Sequence, residues 1–411
     1  MRDAELAELI GNATRRAFVG IVDLCLDERV DALLLAGDLY DGDQTSMKTA
    51  RFLAEQMRRL DEAGIDIFVI RGNHDALSRI TRELVLPDRV KVFGGRAEAV
   101  VVERAAGDIP IAVHGLSFAQ PHAPESLLPR YRPPLPGAVN IGLMHSSLAG
   151  SAGHDPYAPC SVADLQAAGF RYWALGHIHK RSVVEGPERA GADSGCTIVM
   201  PGMPQGRDIN EAGPKSATLV TIGDDRSVTL EERATGVAQF ERVAVDLTGL
   251  DDWRAVVRAV AGALEHARAA AASEQLVVRL GLTGATPLAW RLRRETDLLK
   301  AEADDRASLV GGCRIEKLDV ACRPPAAQGE GGGDPVAELR QLISAEILGS
   351  DAFRAEATGV AEELRAQLPP ECRALFGSDE ESFAAAVAAL ARDGADDVLA
   401  LLQAPPGAGN A

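Results

Sequence analysis

Four short polar motifs each close an apolar run: GDLYD at 37–41, GNHD at 72–75, GLMHSS at 142–147 and GHIH at 176–179. Their aspartate, asparagine and histidine side chains form an oxygen and nitrogen donor set without thiolate, suited to Mn2+, Fe2+ or Zn2+. The run DALLLAG ends at a glycine and then presents Asp38, Asp41 and Asp43. Burial penalises such clustered negative charge unless cations compensate it. The glycine heading each motif lets the chain turn sharply beside a metal. Two metals about 3.5–4 Å apart can share a hydroxide, lower its pKa and clamp the oxygens of an in-line attack on phosphorus. The chemistry implied is phosphoester hydrolysis by a dimetal-activated hydroxide.

Such a site needs loops delivered to one rim, and the hydrophobic periodicity supplies them. Leu6, Leu9, Ile10, Ala13, Ala17, Ile21, Leu24 and Cys25 recur at spacings of three and four, predicting a helix over 3–29. VDALLLAG predicts a fully buried strand, 46–63 a helix ending at Gly64, and DIFVI a second strand. That alternation implies parallel pairing, with a ligand site outside the carboxyl ends of the strands. Further strands are predicted at 98–103, 109–114, 139–145, 171–176, 196–200 and 217–222. Residues 1–222 thus read as one layered α/β domain. Residues 223–325 read as a small α+β domain, with strands at 227–233, 241–246, 275–281 and 313–320 and helices at 251–272 and 287–300. Residues 326–335 form a flexible linker by composition, and 336–403 a helical module rich in alanine and leucine.

Composition sets the outer bounds. A chain of 411 residues, 46% hydrophobic and 25% charged, can bury a substantial core. No basic and apolar leader opens it and no apolar stretch is long enough to span a bilayer, which predicts a cytoplasmic protein without a membrane partner. The six cysteines show no C-x-x-C spacing, so reduced thiols are expected. Net charge is −17, which opposes a general basic surface for nucleic acid. Segment 334–411 carries 14 acidic residues against 5 arginines, whereas 226–325 carries 15 of each sign. Global charge therefore does not exclude a DNA substrate.

The order GD-x-x-D, GNHD, G-x-x-H, GHxH resembles the calcineurin-like metallophosphoesterases. YWALGHIHKRSVV (172–184) and MPGMPQGRDINEAGPKS (200–216) look like the YhaO-type and SbcD-type DNA-repair exonucleases among them. The resemblance implies a layered metallophosphoesterase sandwich, β-sheets flanked by helices, followed by a capping α+β domain and the helical module. It implies two divalent ions, of which Mn2+ is expected. Asp38 would bridge them, Asn73, His145 and His177 would complete the second metal, and His179 would bind the first. His74 would stand beside the scissile phosphate as acid or transition-state stabiliser, with Asp75 orienting its ring. Asp41 would be a supporting or loop-capping group, and Gln205, Arg207 and Lys215 would line the substrate groove. The implied partners are DNA, an SMC-like coiled-coil ATPase, for which the acidic tail helices are the docking candidate, and a second copy of the chain.

One departure stands against these matches. The family opens with a strand ending in D-x-H, whose aspartate and histidine ligate the first metal, and no such strand precedes the helix near residue 3. The first site is therefore expected to be weakened or empty, either because the start lies upstream or because the chain is a degenerate relative. His154 is a poor replacement by motif order. Three functions stay open: a DNA exonuclease or nuclease subunit, a phosphodiesterase on small nucleotides or phosphoesters, and a non-catalytic DNA- or partner-binding subunit. Plainer roles attach to other residues. His114 reads as a hydrogen-bonded strand-end histidine, His122 and His266 as solvent-facing, and Tyr172 and Trp173 as core. The run Arg291, Arg294, Lys300 reads as a solvated face or a phosphate-backbone contact.

Overall fold

The computed structural model describes residues 4–40, 47–76, 85–102, 109–148, 157–185, 195–325, 335–368, 373, 375–377 and 379–402. Asp41, Asp43 and His154, singled out above, and the sixth cysteine, Cys372, lie outside the described residues.

Helix α1 (Ala4–Glu28) buries Ala13, Ala17, Ile21 and Cys25 along one face, and α2 (Met47–Glu62) buries Leu53, Met57 and Leu60. Both close on one side of a parallel sheet made of β1 (Ala32–Ala36), β2 (Asp66–Ile70) and β3 (Val90–Val92). Side chains alternate along β2, so Ile67 and Val69 meet the helices while Phe68 and Ile70 face the other way. There they pack on Val113, Ile141 and Leu143 of a second, 6-stranded sheet. Its strands are β4 (Glu98–Val102), β5 (Ile111–Gly115), β6 (Val139–His145), β7 (Tyr172–Gly176), β8 (Ser182–Glu185) and β9 (Thr197–Met200), in the order β4-β5-β6-β7-β9-β8. The inner four run parallel, and β4 and β8 are antiparallel edges. Helix α3 (Val162–Ala167) covers the outer face through Leu165, which meets Trp173 and Leu175 in one buried cluster. Helix, sheet, sheet and helix make the layered α/β sandwich expected.

The apolar run of β1 predicts full burial, yet all five residues are half-buried. Leu33 and Leu35 face the helices and Leu34 and Ala36 the second sheet, so both faces are covered. Among the described residues β1 pairs as a strand only with β2, so its other edge is not covered by a neighbouring strand.

The chain divides into two compact units, Met1–Phe240 with Ala271–Leu276, and Glu241–Ala270 with Val277–Ala411. The first also holds an antiparallel hairpin, β10 (Ser216–Ile222) with β11 (Val228–Ala234). In the second, the sheet β12 (Ala238–Asp246), β13 (Gln275–Thr283), β14 (Cys313–Val320) stands with α4 (Trp253–Ala270), which buries Val256, Val260 and Leu264. The single helix predicted over 287–300 is two, α5 (Ala289–Arg294) and α6 (Thr296–Val310). Glu295 leaves helical backbone between them, with φ −105° and ψ 30°, and Thr296 Oγ1 donates to the carbonyls of Leu292 and Arg293 at 2.9 and 2.7 Å. The C-terminal helices are α7 (Pro335–Leu342), α8 (Asp351–Gln367) and α9 (Glu380–Leu402). Among the described residues no helix is long and apolar enough to cross a membrane. Cys25, Cys160, Cys196, Cys313 and Cys322 are free and buried.

Candidate metal centre

The carboxyl ends of β1, β2, β6 and β7 meet at one rim because three glycines leave no space between them. A Cβ on Gly37 would lie 2.6 Å from His145 Nδ1 and 2.8 Å from the Gly72 nitrogen. A Cβ on Gly72 would press on Asp38 Oδ1 and the His145 ring, and one on Gly176 would strike the Ala36 carbonyl. Immediately after Gly37 and Gly176 the backbone is strained. Asp38 has φ +54° and His177 φ +102°, both in the left-handed region that side chains disfavour. The turn after Gly176 is what brings His177 inward.

The strained residues converge. Donor atoms of Asp38, His145 and His177 lie within 4.8 Å of one another. His145 is 1% exposed, and its Nδ1–H donates to the Ala36 carbonyl at 2.8 Å, leaving the Nε2 lone pair directed inward. That lone pair faces Asn73 Oδ1 at 2.9 Å and Asp38 Oδ2 at 3.2 Å, while His177 Nδ1 lies 3.2 Å from the same Asn73 oxygen. Electron-rich atoms so close repel unless a proton or cation lies among them, and this donor set fits a divalent ion. Phe118, edge-on at 5.4 Å from His145, and Tyr157, 5.0 Å from His177, wall the donors.

The remaining sequence-derived candidates divide. His74 is exposed at the rim, and its backbone N–H donates to Asp38 Oδ1 at 3.0 Å. Asp75 is 1% exposed and accepts from the backbone amides of Gly72 at 2.6 Å and Leu39 at 3.0 Å, so it ties two of the converging loops together. Burial, reinforced by the Asp38 charge, raises its carboxyl despite those amides. His179 is exposed, and its Nδ1 meets Glu211 Oε1 at 3.1 Å. Gln205 is 2% exposed; its amide donates to the carbonyls of Gly206 and Ala238 and accepts from the Val237 amide, each at 2.7 Å, which staples its loop from inside. Arg207 is half exposed and pairs with Glu211 at 2.9 Å, and Lys215 Nζ donates to the Ala212 carbonyl at 2.9 Å. Sequence reasoning passed over Glu211, Phe118 and Tyr157. Glu211 lay inside the 200–216 stretch, where an acid beside Arg207 was the available signal.

Outside the rim the plainer assignments can be read directly. His114 is fully buried, its Nε2 2.8 Å from Asn140 Oδ1, and Tyr172 and Trp173 are core. The basic run near residue 291 faces acids: Arg291 and Arg294 meet Glu295 and Lys300 meets Asp304. Arg293, 9% exposed, is held by Asp393, Asp396 and Asp397 of α9.

A two-sheet sandwich with oxygen and imidazole donors converging at its rim defines the class. Residues 10–181 match the calcineurin-like phosphoesterase family, and residues 240–323 match the middle domain of the metallophosphoesterase YhaO. Residues 10–181 are thus similar to calcineurin-like metallophosphoesterase domains, a hydrolase class, and residues 240–323 to a YhaO-type middle domain. Among individual relatives, a protein of Bacillus subtilis named uncharacterized metallophosphoesterase YhaO is 35% identical over 272 residues, 65% of this chain and 63% of its own. The DNA double-strand break repair protein Mre11 of Sulfurisphaera tokodaii is 28% identical over 222 residues, covering 51% and 53%. That of Aeropyrum pernix is 25% identical over 276 residues, covering 62% and 63%. The chain spans between half and two thirds of the length of these relatives.

Proposed function

We propose that this protein hydrolyses phosphodiester bonds in DNA, as a repair exonuclease or nuclease subunit, with divalent cations at the rim and Mn2+ the preferred ion. The observation that carries this reading is the inward lone pair of His145 set against the oxygens of Asp38 and Asn73. Asp38, Asn73, His145 and His177 would hold one ion, and His179, with Asp38 shared, a second. Bound cations supply Lewis acidity toward phosphoryl oxygens and ease deprotonation of water. The chain's own groups do the rest. His74, exposed beside the centre, is placed to give a proton to a leaving oxygen; Asp75 holds the two loops in register; Arg207 meets phosphate.

Unit 1–222 would carry the chemistry, 223–325 would cap it, and 336–403 would recruit a partner. Val360, Leu364, Leu390 and Val398, each more than half exposed on α8 and α9, offer an apolar surface in a segment with an excess of acids. An SMC-like coiled-coil ATPase presenting a basic, apolar helix face suits that chemistry, in a cytoplasmic dimeric assembly. Purified protein with Mn2+ is assayed against free-ended duplex DNA and bis-p-nitrophenyl phosphate. Metal-dependent loss of DNA ends supports the reading. Hydrolysis of the small diester with intact DNA points to a small-molecule phosphodiesterase, and no turnover of either, with no ion bound, to a non-catalytic subunit.

A further inference from the structure

Glu211 joins two groups that sequence reasoning treated separately. Its carboxylate is 13% exposed although both partners are about half exposed. Oε1 accepts from His179 at 3.1 Å and from Arg207 Nη2 at 2.9 Å, and Oε2 accepts from the Arg207 backbone amide at 2.7 Å. Arg207 Nε lies 3.3 Å from both oxygens.

The segment around it is fixed. Glu211 ends a tight turn, Ile209–Glu211, in which Ile209 is buried and Asp208 accepts from the Asn210 amide at 2.7 Å. Upstream, Gly202 has φ +78° and packs so that a Cβ would lie 2.8 Å from the His179 carbonyl and 3.0 Å from the Arg181 nitrogen. A Cβ on Gly206 would lie 2.7 Å from the Glu211 carbonyl. The loop thus presses on the GHIH turn at one end and on its own helical turn at the other. An exposed ion pair alone orders little; here a sheltered carboxylate on rigid backbone orders two exposed partners.

An ionised carboxylate only accepts hydrogen bonds, so neutral His179 must donate Nδ1–H to it and keep the Nε2 lone pair for a cation. The same carboxylate takes one edge of the Arg207 fork and sets the guanidinium plane. We infer that Glu211 is a positioning residue that holds His179 and Arg207 as one unit, coupling cation binding to recognition of a phosphodiester oxygen. This rests on the proposed phosphoester chemistry.

The test uses the full chain with two readouts, the Mn2+ binding isotherm and KM for bis-p-nitrophenyl phosphate. Glu211→Ala is expected to weaken Mn2+ binding about tenfold or more, the usual effect of losing a carboxylate behind a ligating histidine, and to raise KM. Adding Glu211→Ala to His179→Ala should cost no further Mn2+ affinity, and adding it to Arg207→Ala should raise KM no further. Glu211→Gln, which keeps one acceptor, should fall between and serves if the alanine variant does not fold. Wild-type values for both readouts in Glu211→Ala, or losses that simply add in both double variants, overturn the inference. If wild-type protein turns over no phosphoester, the proposed chemistry fails, and the Mn2+ isotherms still decide the role of Glu211.

Discussion

Gly72→Ala tests whether the rim is packed for one purpose, because its backbone is not in the left-handed region and an alanine there meets a purely spatial obstacle. The added Cβ would lie 2.5 Å from His145 Cε1 and 2.7 Å from its Nε2, whereas ordinary contact begins at 3.4 Å, so the ring must retreat by about 0.9 Å. It has nowhere to go. His145 is 1% exposed, tethered through Nδ1 to Ala36 and backed by Phe118. Asp38 Oδ1 meets the same methyl and is itself held by the His74 amide. Overpacking of this kind costs about 1–3 kcal/mol, offset by roughly 0.4–1 kcal/mol from the stiffer unfolded chain. The net, about 1–2 kcal/mol, lowers Tm by roughly 2–8 °C for a unit of this size. Function should suffer far more, since displacing a reacting group by about 1 Å can cost on the order of 100-fold. Differential scanning calorimetry and Mn2+-dependent turnover of bis-p-nitrophenyl phosphate measure the two effects. A Tm loss with undiminished turnover would contradict a rim packed around its donors, because the methyl would then have found room without moving them.

Asp38→Ala should abolish Mn2+-dependent turnover while leaving the far-UV circular dichroism spectrum unchanged; near-wild-type activity would remove Asp38 from the centre. His114 gives a pH dependence. Burial lowers its pKa below the ordinary 6.5, against the opposing hydrogen bond it donates to Asn140 Oδ1, so the unfolded chain binds the proton first and stability falls as pH drops below about 6.5. The Tm difference between wild type and His114→Gln should therefore narrow between pH 7 and pH 5, and a difference constant with pH would contradict this. Arg293→Ala should release α9, costing about 1 kcal/mol because two of its three aspartate partners, Asp393 and Asp397, are well exposed. Amide hydrogen exchange should rise in 380–402 and not in 253–270.

The rim was legible in the sequence because its donors are local to their strands: GDLYD, GNHD and GHIH each place a polar side chain one or two residues past an apolar run. The layered sandwich followed from the same alternation. What escaped depends on distance along the chain. Glu211 reaches His179 across 32 residues and Phe118 packs on His145 from another loop, and no periodicity encodes such pairs. The amide of Gln205 turned inward because Val237 and Ala238 present unpaired backbone groups to it. Composition flagged the basic run near residue 291 but not that Arg293 would meet three aspartates about 100 residues later. The half-buried state of β1 reflects its place in the sheet, which an apolar pentapeptide does not state.

The most direct test is a crystal of this chain soaked in MnCl2 and measured at the manganese absorption edge. An anomalous peak is expected within bonding distance of Asp38, Asn73, His145 and His177 together. Crystals that diffract well with no peak there, or with manganese bound elsewhere while His145 and Asp38 keep their direct contact, would contradict it.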